Sequence, residues 1–126
     1  MTDLASLMVE RSGDIQLVRL SGEVDLSNAS TLEGEISGAV PNDAIGLVLD
    51  LSGTSYFDSA GIRLLFELKQ RLWGRRQSFA AVVPTESLIR YALQIAEVAQ
   101  AIEIHSTVVE ALDSLRTAAR RDNPLS

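Results

Sequence analysis

Short apolar runs of strand length recur along the chain and predict a β-sheet. Residues 45–51 form an almost continuous apolar run, which is typical of a strand buried on both faces. Residues 15–20 alternate in part between apolar and polar positions, which predicts a second strand. Shorter runs at residues 7–10, 79–83 and 102–104 predict three more. The chain is therefore expected to contain a sheet of about five strands.

Between these runs, apolar residues recur at spacings of three and four, which predicts amphipathic helices. Each predicted strand after the first is followed by one such segment. The first predicted helix covers residues 28–40 and is ended by Pro41, and the second covers residues 60–73, with Gly74 directly after it. A third helix is predicted to begin at Thr85 or Glu86, and a fourth follows Thr107.

Two helix starts carry the spacing of a capping box, in which a hydroxyl residue precedes a glutamate by three positions. Thr107 and Glu110 have this spacing at the start of the last helix. At the first helix, Ser30 with Glu33 competes with Ser27 as the cap. The sequence leaves these two alternatives open.

The element order, two strands followed by alternating helices and strands, predicts the α/β class. A turn signal at residues 12–14 joins the first two strands as a hairpin, and the later alternation implies parallel strands with crossover helices. One domain is expected over residues 1–119, and the polar tail at residues 120–126 is predicted to be disordered.

The junction between the central strand and the second helix presents a serine. Ser59 is a candidate N-cap, at a position where unpaired backbone N–H groups and a partial positive charge are expected. Gly61 has no side chain that could shield the serine hydroxyl. Ser59 therefore either only caps the helix or also presents a hydroxyl for chemistry.

The second helix has a wider apolar arc than one contact with a sheet requires. One stripe contains Leu64, Leu68 and Leu72, and an adjoining stripe contains Ile62, Phe66 and Trp73. Either a neighbouring helix or a partner protein is expected to cover the second stripe.

Composition removes several classes of function. The 126 residues include no Cys and one His, which excludes disulfides, thiolate metal sites and a multi-histidine metal site within one chain. The formal charge of −6 disfavours binding to nucleic acid and suits either solubility or a basic partner surface. No apolar run has the length of a membrane span, and the start of the chain lacks a basic signal-peptide region. A cytoplasmic protein is expected.

The motifs disfavour three kinds of enzyme site. Ser59 is flanked two positions away by Phe57 and Gly61 and so lacks the hydrolase elbow, and nothing in the sequence places His105 near it. A response-regulator receiver needs a strand-end Lys, but the one Lys, Lys69, is predicted to lie in a helix. A glycine-rich phosphate loop is absent. The chain is therefore not expected to be an enzyme.

Two motifs together resemble a known family. Residues 49–53 running into Phe57-Asp58-Ser59-Ala60-Gly61 resemble the phosphorylation-site segment of STAS domains, most closely those of bacterial anti-sigma factor antagonists. Gly22-Glu23-Val24-Asp25 resembles the family's second signature, the loop before its first helix. The resemblance in element order covers residues 9–118 and implies the STAS fold, a mixed sheet of about five strands with four helices.

The resemblance implies a phosphorylation switch without a cofactor. In such a cycle the unmodified domain binds an anti-sigma factor and frees a sigma factor for transcription. The anti-sigma factor, usually a Ser/Thr protein kinase, phosphorylates the serine, and a phosphatase reverses this. Ser59 is the expected acceptor, and the other residues expected to contact the partner are Glu23, Asp25, Asp58, Ile62 and Phe66.

Each of these residues also has a plainer interpretation. Asp25 is equally suited to help cap the first helix, Asp58 to shape the turn before Ser59, and Phe66 to pack internally. STAS modules also serve as subunits of signalling scaffolds or lipid-transport complexes, or sense nucleotides and small molecules. One departure from the family is that residues 96–101 lack the glycine often present after the third helix.

Overall fold

A computed structural model of the chain describes residues 4–122. These residues form six strands, four α-helices and one short 3₁₀ turn. The elements are β1 Ala5–Ser12, β2 Ile15–Val24, α1 Ala29–Gly38, β3 Gly46–Asp50, β4 Thr54–Phe57, α2 Ser59–Gly74, β5 Ser78–Val82, α3 Leu88–Ile95, the 3₁₀ turn Val98–Gln100, β6 Glu103–His105 and α4 Val108–Asp122.

The strands form one mixed sheet, as predicted. Its order is β1-β2-β3-β5-β6, and β4 pairs with β2 off this path. The hairpin of β1 and β2 is antiparallel, and every other pairing is parallel. All five residues of β3 are buried, in agreement with a central strand covered on both faces. The α/β class and the four helices are confirmed, and the described sheet has six strands where about five were expected.

Two apolar clusters, one larger than the other, hold the layers together. In the larger cluster, leucines of α2 such as Leu65 and Leu68 pack with Ile36 of α1 and Leu93 of α3 against the sheet. In the smaller cluster, Ala111 and Leu115 of α4 pack with residues of β2, β3 and β5. Burial of this apolar surface is the main term that stabilises the fold.

The sequence did not predict β4 or the end of β2. The second strand was expected to end at residue 20, but β2 continues through Val24 and pairs with β4. No strand was predicted over the residues of β4. Thr54 anchors it, because its hydroxyl donates a buried hydrogen bond to the Leu20 carbonyl at 2.7 Å. Thr, Tyr and Phe favour strands, but a run of four residues is too short to show a period.

The helix caps also differ in part from the prediction. Neither Ser27 nor Ser30 caps α1, because Asn28 occupies the N-cap position without a side-chain hydrogen bond to the helix. At α4 the capping prediction is confirmed in its first half, since Thr107 Oγ1 accepts from the Glu110 N–H at 3.2 Å. Gly74 is the last residue of α2, and Arg75 follows as the C-cap.

The last helix extends further than predicted. A tail was expected from residue 120, but α4 continues to Asp122, so residues 120–122 belong to the helix. Residues 123–126 of that predicted tail lie outside the described part of the chain.

The turn after α3 places a glutamate in a backbone conformation that favours glycine. Glu97 has φ +57°, the left-handed region in which an L side chain is strained.

We expect Glu97→Gly to raise the free energy of unfolding by about 0.5–1 kcal/mol, because the relief of strain exceeds the added entropy of the unfolded chain. Chemical denaturation measures the change. The neighbouring Ala96, at φ −80°, provides the control, since Ala96→Gly is expected to destabilise. Equal losses from both substitutions would contradict the assignment of strain to Glu97.

Candidate functional site

Ser59 lies at the exposed start of α2 without serving as its cap. The N-cap is Asp58, whose Oδ1 accepts from the Ala60 N–H at 2.9 Å. The prediction that Ser59 caps the helix was therefore wrong. Among residues 4–122 no hydrogen bond to the Ser59 hydroxyl is present, and its side chain is exposed. The helix start is satisfied by a carboxylate, which leaves the hydroxyl accessible.

Gly61 makes room under the first turn of α2. A Cβ atom at this position would lie 2.8 Å from atoms of the Phe57 ring, closer than side chains approach one another. Phe57 is buried in the larger apolar cluster and fixes the end of β4 to the core. In the motif Phe57-Asp58-Ser59-Ala60-Gly61, glycine at position 61 therefore leaves space for the Phe57 ring, and the packing of that ring positions Ser59.

The pairing of β2 with β4 brings the two sequence motifs together. Glu23 pairs with Tyr56 and Val24 with Phe57, so the ends of the two strands lie side by side. Neighbouring strands are separated by roughly 4.8 Å. Glu23 and Asp25 therefore lie at the same end of these two strands as Asp58 and Ser59. The rim around the hydroxyl is acidic.

The two acidic residues of the first motif have different environments. Asp25 Oδ1 accepts from the Ser27 hydroxyl at 2.5 Å and from the Ser27 N–H at 2.8 Å. The Ser27 hydroxyl, and then the Ser27 N–H, lower the pKa of Asp25 below its ordinary value. Asp25 therefore organises the turn before α1. Glu23 is exposed, and no ion pair to it is present within the described ranges.

A buried carboxylate supports the loop that leads to Ser59. Asp50, at the end of β3, accepts at Oδ1 from both the N–H and the hydroxyl of Ser52, at 2.9 and 2.6 Å. Its Oδ2 accepts from Arg19 Nη1 at 2.9 Å. The sequence predicted no role for Asp50 beyond its place in the motif. Its position directly before a Ser-Gly turn was the available signal.

The second apolar stripe of α2 is covered only in part. Ile62 is half-buried and packs against the larger cluster. Phe66 is 38% exposed and Trp73 is 78% exposed. These two rings line a shallow cleft on the outer surface of α2 together with Arg63, Glu67, Lys69 and Gln70. Internal packing therefore accounts for Ile62 better than for Phe66, which remains available to another molecule.

His105 lies far from the serine in the order of the sheet. It belongs to β6, which β3 and β5 separate from β2, and its Nε2 lies 2.8 Å from Glu103 Oε2. Within residues 4–122 there is no group of three His, Cys, Asp or Glu side chains placed to hold a metal ion. None of the helices in this range has the length and apolar character needed to cross a membrane.

The fold and the two motifs define a STAS domain. The family model for the STAS domain matches residues 6–111, and the chain belongs to this family. Its sequence is 26% identical over 114 residues to the anti-sigma-F factor antagonist RsfB of Mycobacterium tuberculosis, a match that spans 90% of this chain and 92% of that protein.

Solved structures show the same architecture. An anti-sigma factor antagonist from Mycobacterium paratuberculosis matches with a TM-score of 0.79 and 25% identity, covering 89% of this chain and 94% of that one. The anti-sigma factor antagonist SpoIIAA in its unphosphorylated form matches with a TM-score of 0.70 and 20% identity, covering 89% and 97%. The expected fold and family are both confirmed.

Proposed function

We propose that this protein is an anti-sigma factor antagonist controlled by phosphorylation of Ser59. In its unmodified form it binds an anti-sigma factor of the Ser/Thr kinase type in the cytoplasm, so that a sigma factor is released for transcription. The observation that carries the proposal is the exposed hydroxyl of Ser59 at the start of α2, where Asp58 already satisfies the cap. The similarity to RsfB over most of both chains supports the class of partner.

The position of Ser59 determines how a phosphate group acts. A phosphoserine carries a charge of about −1.5 to −2 and three acceptor oxygens. At the amino end of a helix this charge is favourable, so phosphorylation leaves the domain folded. A partner surface that fits a neutral serine must then accommodate a dianion beside Asp58 and Glu23. Like-charge repulsion and desolvation therefore end binding, and a phosphatase restores it.

The protein itself contributes no catalysis in this scheme. The kinase binds ATP and the metal ion and supplies the catalytic groups. This chain supplies the acceptor, the hydroxyl of Ser59, on a rigid strand-to-helix junction. Buried Phe57 and the Asp50–Ser52 hydrogen bonds hold that junction in place. The partner is then contacted by the exposed carboxylate of Glu23 beside the junction and by the ring of Phe66, about two turns further along α2.

Incubation with the anti-sigma kinase and ATP tests the proposal. Mass spectrometry is expected to place a single phosphate on Ser59. Native gels are expected to show that the complex of this protein with the kinase dissociates when ATP is added. Ser59→Ala is expected to bind the kinase and to remain bound when ATP is added. Phosphate on another residue, or release of the Ser59→Ala protein by ATP, would contradict the proposal.

The exposed ring of Phe66 is expected to contribute to partner binding. Phe66→Ala should weaken the complex about 10-fold or more, since aromatic side chains in an interface often contribute more than 1 kcal/mol. Isothermal titration calorimetry measures the affinity. Val109→Ala is the control, because Val109 is 67% exposed on α4, which packs on the other face of the sheet. A folded Phe66→Ala protein with unchanged affinity would assign the ring to internal packing alone.

A further inference from the structure

The amino end of the parallel strands, opposite Ser59, carries a cleft lined by arginines. Arg75 and Arg76 follow α2, and Arg116 and Arg120 belong to α4. The cleft has a volume of about 650 Å³ and also includes Asp14 of the β1–β2 turn. Four arginines and one aspartate give this surface a formal charge of +3 on a chain whose formal charge is −6.

The cleft arginines differ from three other arginines of the chain in their ion pairing. Arg11, Arg19 and Arg71 form ion pairs with Asp or Glu. In the part of the chain that the structure describes, no such pair involves the four cleft arginines. Arg63 and Arg90 also form no ion pair in that range, so the distinct feature of this surface is that four such arginines are grouped around one cleft.

Two of these arginines are fixed in place, and two are exposed. Arg75 donates to the carbonyls of Ser37 and Val40 at 3.3 and 3.1 Å, and Arg116 donates to Ser12 Oγ at 2.8 Å. These contacts hold both side chains in place, and because their acceptors are uncharged they leave both positive charges uncancelled.

Arg76 and Arg120 are exposed at the rim, and no side-chain hydrogen bond of either is present among residues 4–122. Arg76 has φ +58°, a backbone conformation that favours glycine, yet an arginine occupies it.

The geometry points to a second docking site, for an acidic segment of a partner protein. Guanidinium groups bind carboxylates in a bidentate manner, and those in the cleft come from two separate elements. The carboxylates of an extended Asp/Glu-rich peptide are spread along its length and can reach them separately. A compact polyphosphate would concentrate its charge beside Asp14 in an open cleft, which makes it the less suitable occupant.

This site is compatible with occupation of the Ser59 surface. The 16 residues of α2 separate the two, a distance of about 24 Å at ~1.5 Å per residue. The domain can therefore hold an acidic segment at one end while the other end binds or releases its first partner. The inference does not depend on Ser59 being phosphorylated.

Fluorescence anisotropy with a labelled peptide of about ten residues, rich in Asp and Glu, tests the site in roughly 50 mM salt. We expect saturable binding that Arg76→Glu combined with Arg120→Glu weakens at least tenfold, and that roughly 300 mM salt weakens strongly. The control is Arg63→Glu, which makes the same charge change per substituted residue at an exposed position in the first half of α2. It is expected to alter the affinity for the peptide less than twofold. Ser59→Asp is expected to bind the peptide as the wild type does.

Several results would overturn the inference. These are failure of the peptide to bind, equal weakening by Arg63→Glu, and unchanged binding by the double variant. Tight binding of pyrophosphate or of single-stranded DNA at the cleft, with no binding of the peptide, would assign it to a different ligand and also overturn the proposal. Circular dichroism melting confirms that each variant is folded, which the exposure of both substituted arginines leads us to expect.

Discussion

Ser59→Asp is expected to reduce affinity for the anti-sigma factor about 100-fold while it leaves the melting temperature within about 2 °C of the wild type. The loss corresponds to roughly 2.7 kcal/mol of binding free energy. It arises because a partner surface fitted to a neutral hydroxyl must desolvate and accept a carboxylate beside Asp58 and Glu23. The stability is preserved because a negative charge at the amino end of α2 is favourable to the helix.

Isothermal titration calorimetry and thermal melting of the same samples separate these two effects. Thr117→Asp is a matched control, because it adds the same charge at an exposed position on α4, on the other face of the sheet. It should leave binding within about twofold. If Ser59→Asp bound as tightly as the wild type, the switch would be disproved. If it melted far below the wild type, the hydroxyl would have a structural role that its exposure does not indicate.

The arrangement of helices and strands in layers could be predicted from the sequence, because the spacing of apolar residues indicates which positions are buried. The apolar run that became β3 and the stripe of leucines in α2 have different spacings, and each spacing is compatible with one kind of element. The hairpin followed from its turn signal, and the parallel strands followed from the alternation with helices. These features depend on many residues, so single errors at element ends did not alter them.

The local chemistry of the site was less accessible, because neighbouring groups compete for the same role. Asp58 and Ser59 are both good N-cap residues, and the sequence alone does not show which one accepts from the helix. The structure gives the cap to Asp58, which changes Ser59 from a capping residue into an exposed hydroxyl. The same competition arose at α1, where the predicted serines gave way to Asn28.

The joining of the two motifs at one edge depended on long-range pairing. β4 has four residues, and its place beside β2 is fixed by the bond from Thr54 to Leu20 and by the bond from the Gly22 N–H to the Gly53 carbonyl at 3.0 Å. No periodic pattern encodes such contacts. Local sequence patterns therefore did not predict that Glu23 lies near Ser59; the strand pairing shows it.

Gly22→Ala is expected to lower the free energy of unfolding by about 3–5 kcal/mol and to disturb the site as well. Gly22 has φ +100°, and a Cβ atom there would lie 2.2 Å from the carbonyl oxygen of Leu4. Backbone strain and steric overlap each cost roughly 1–3 kcal/mol. Because the register of β2 against β4 shifts between Gly22 and Glu23, a displaced backbone also moves the carboxylates away from Ser59.

Denaturant unfolding measures the loss of stability, and anti-sigma factor binding measures the loss of the site. Gly34→Ala supplies the matched control, since Gly34 is exposed within α1 and a Cβ atom there would have no neighbouring atom within 4 Å. Alanine there should stabilise by about 0.5–1 kcal/mol, because it favours the helix and restricts the unfolded chain. Opposite signs at the two glycines are the expected result. A tolerated alanine at Gly22 would mean that β1 and β2 can shift apart without loss, and the strand pairing that builds the site would then not depend on this close contact.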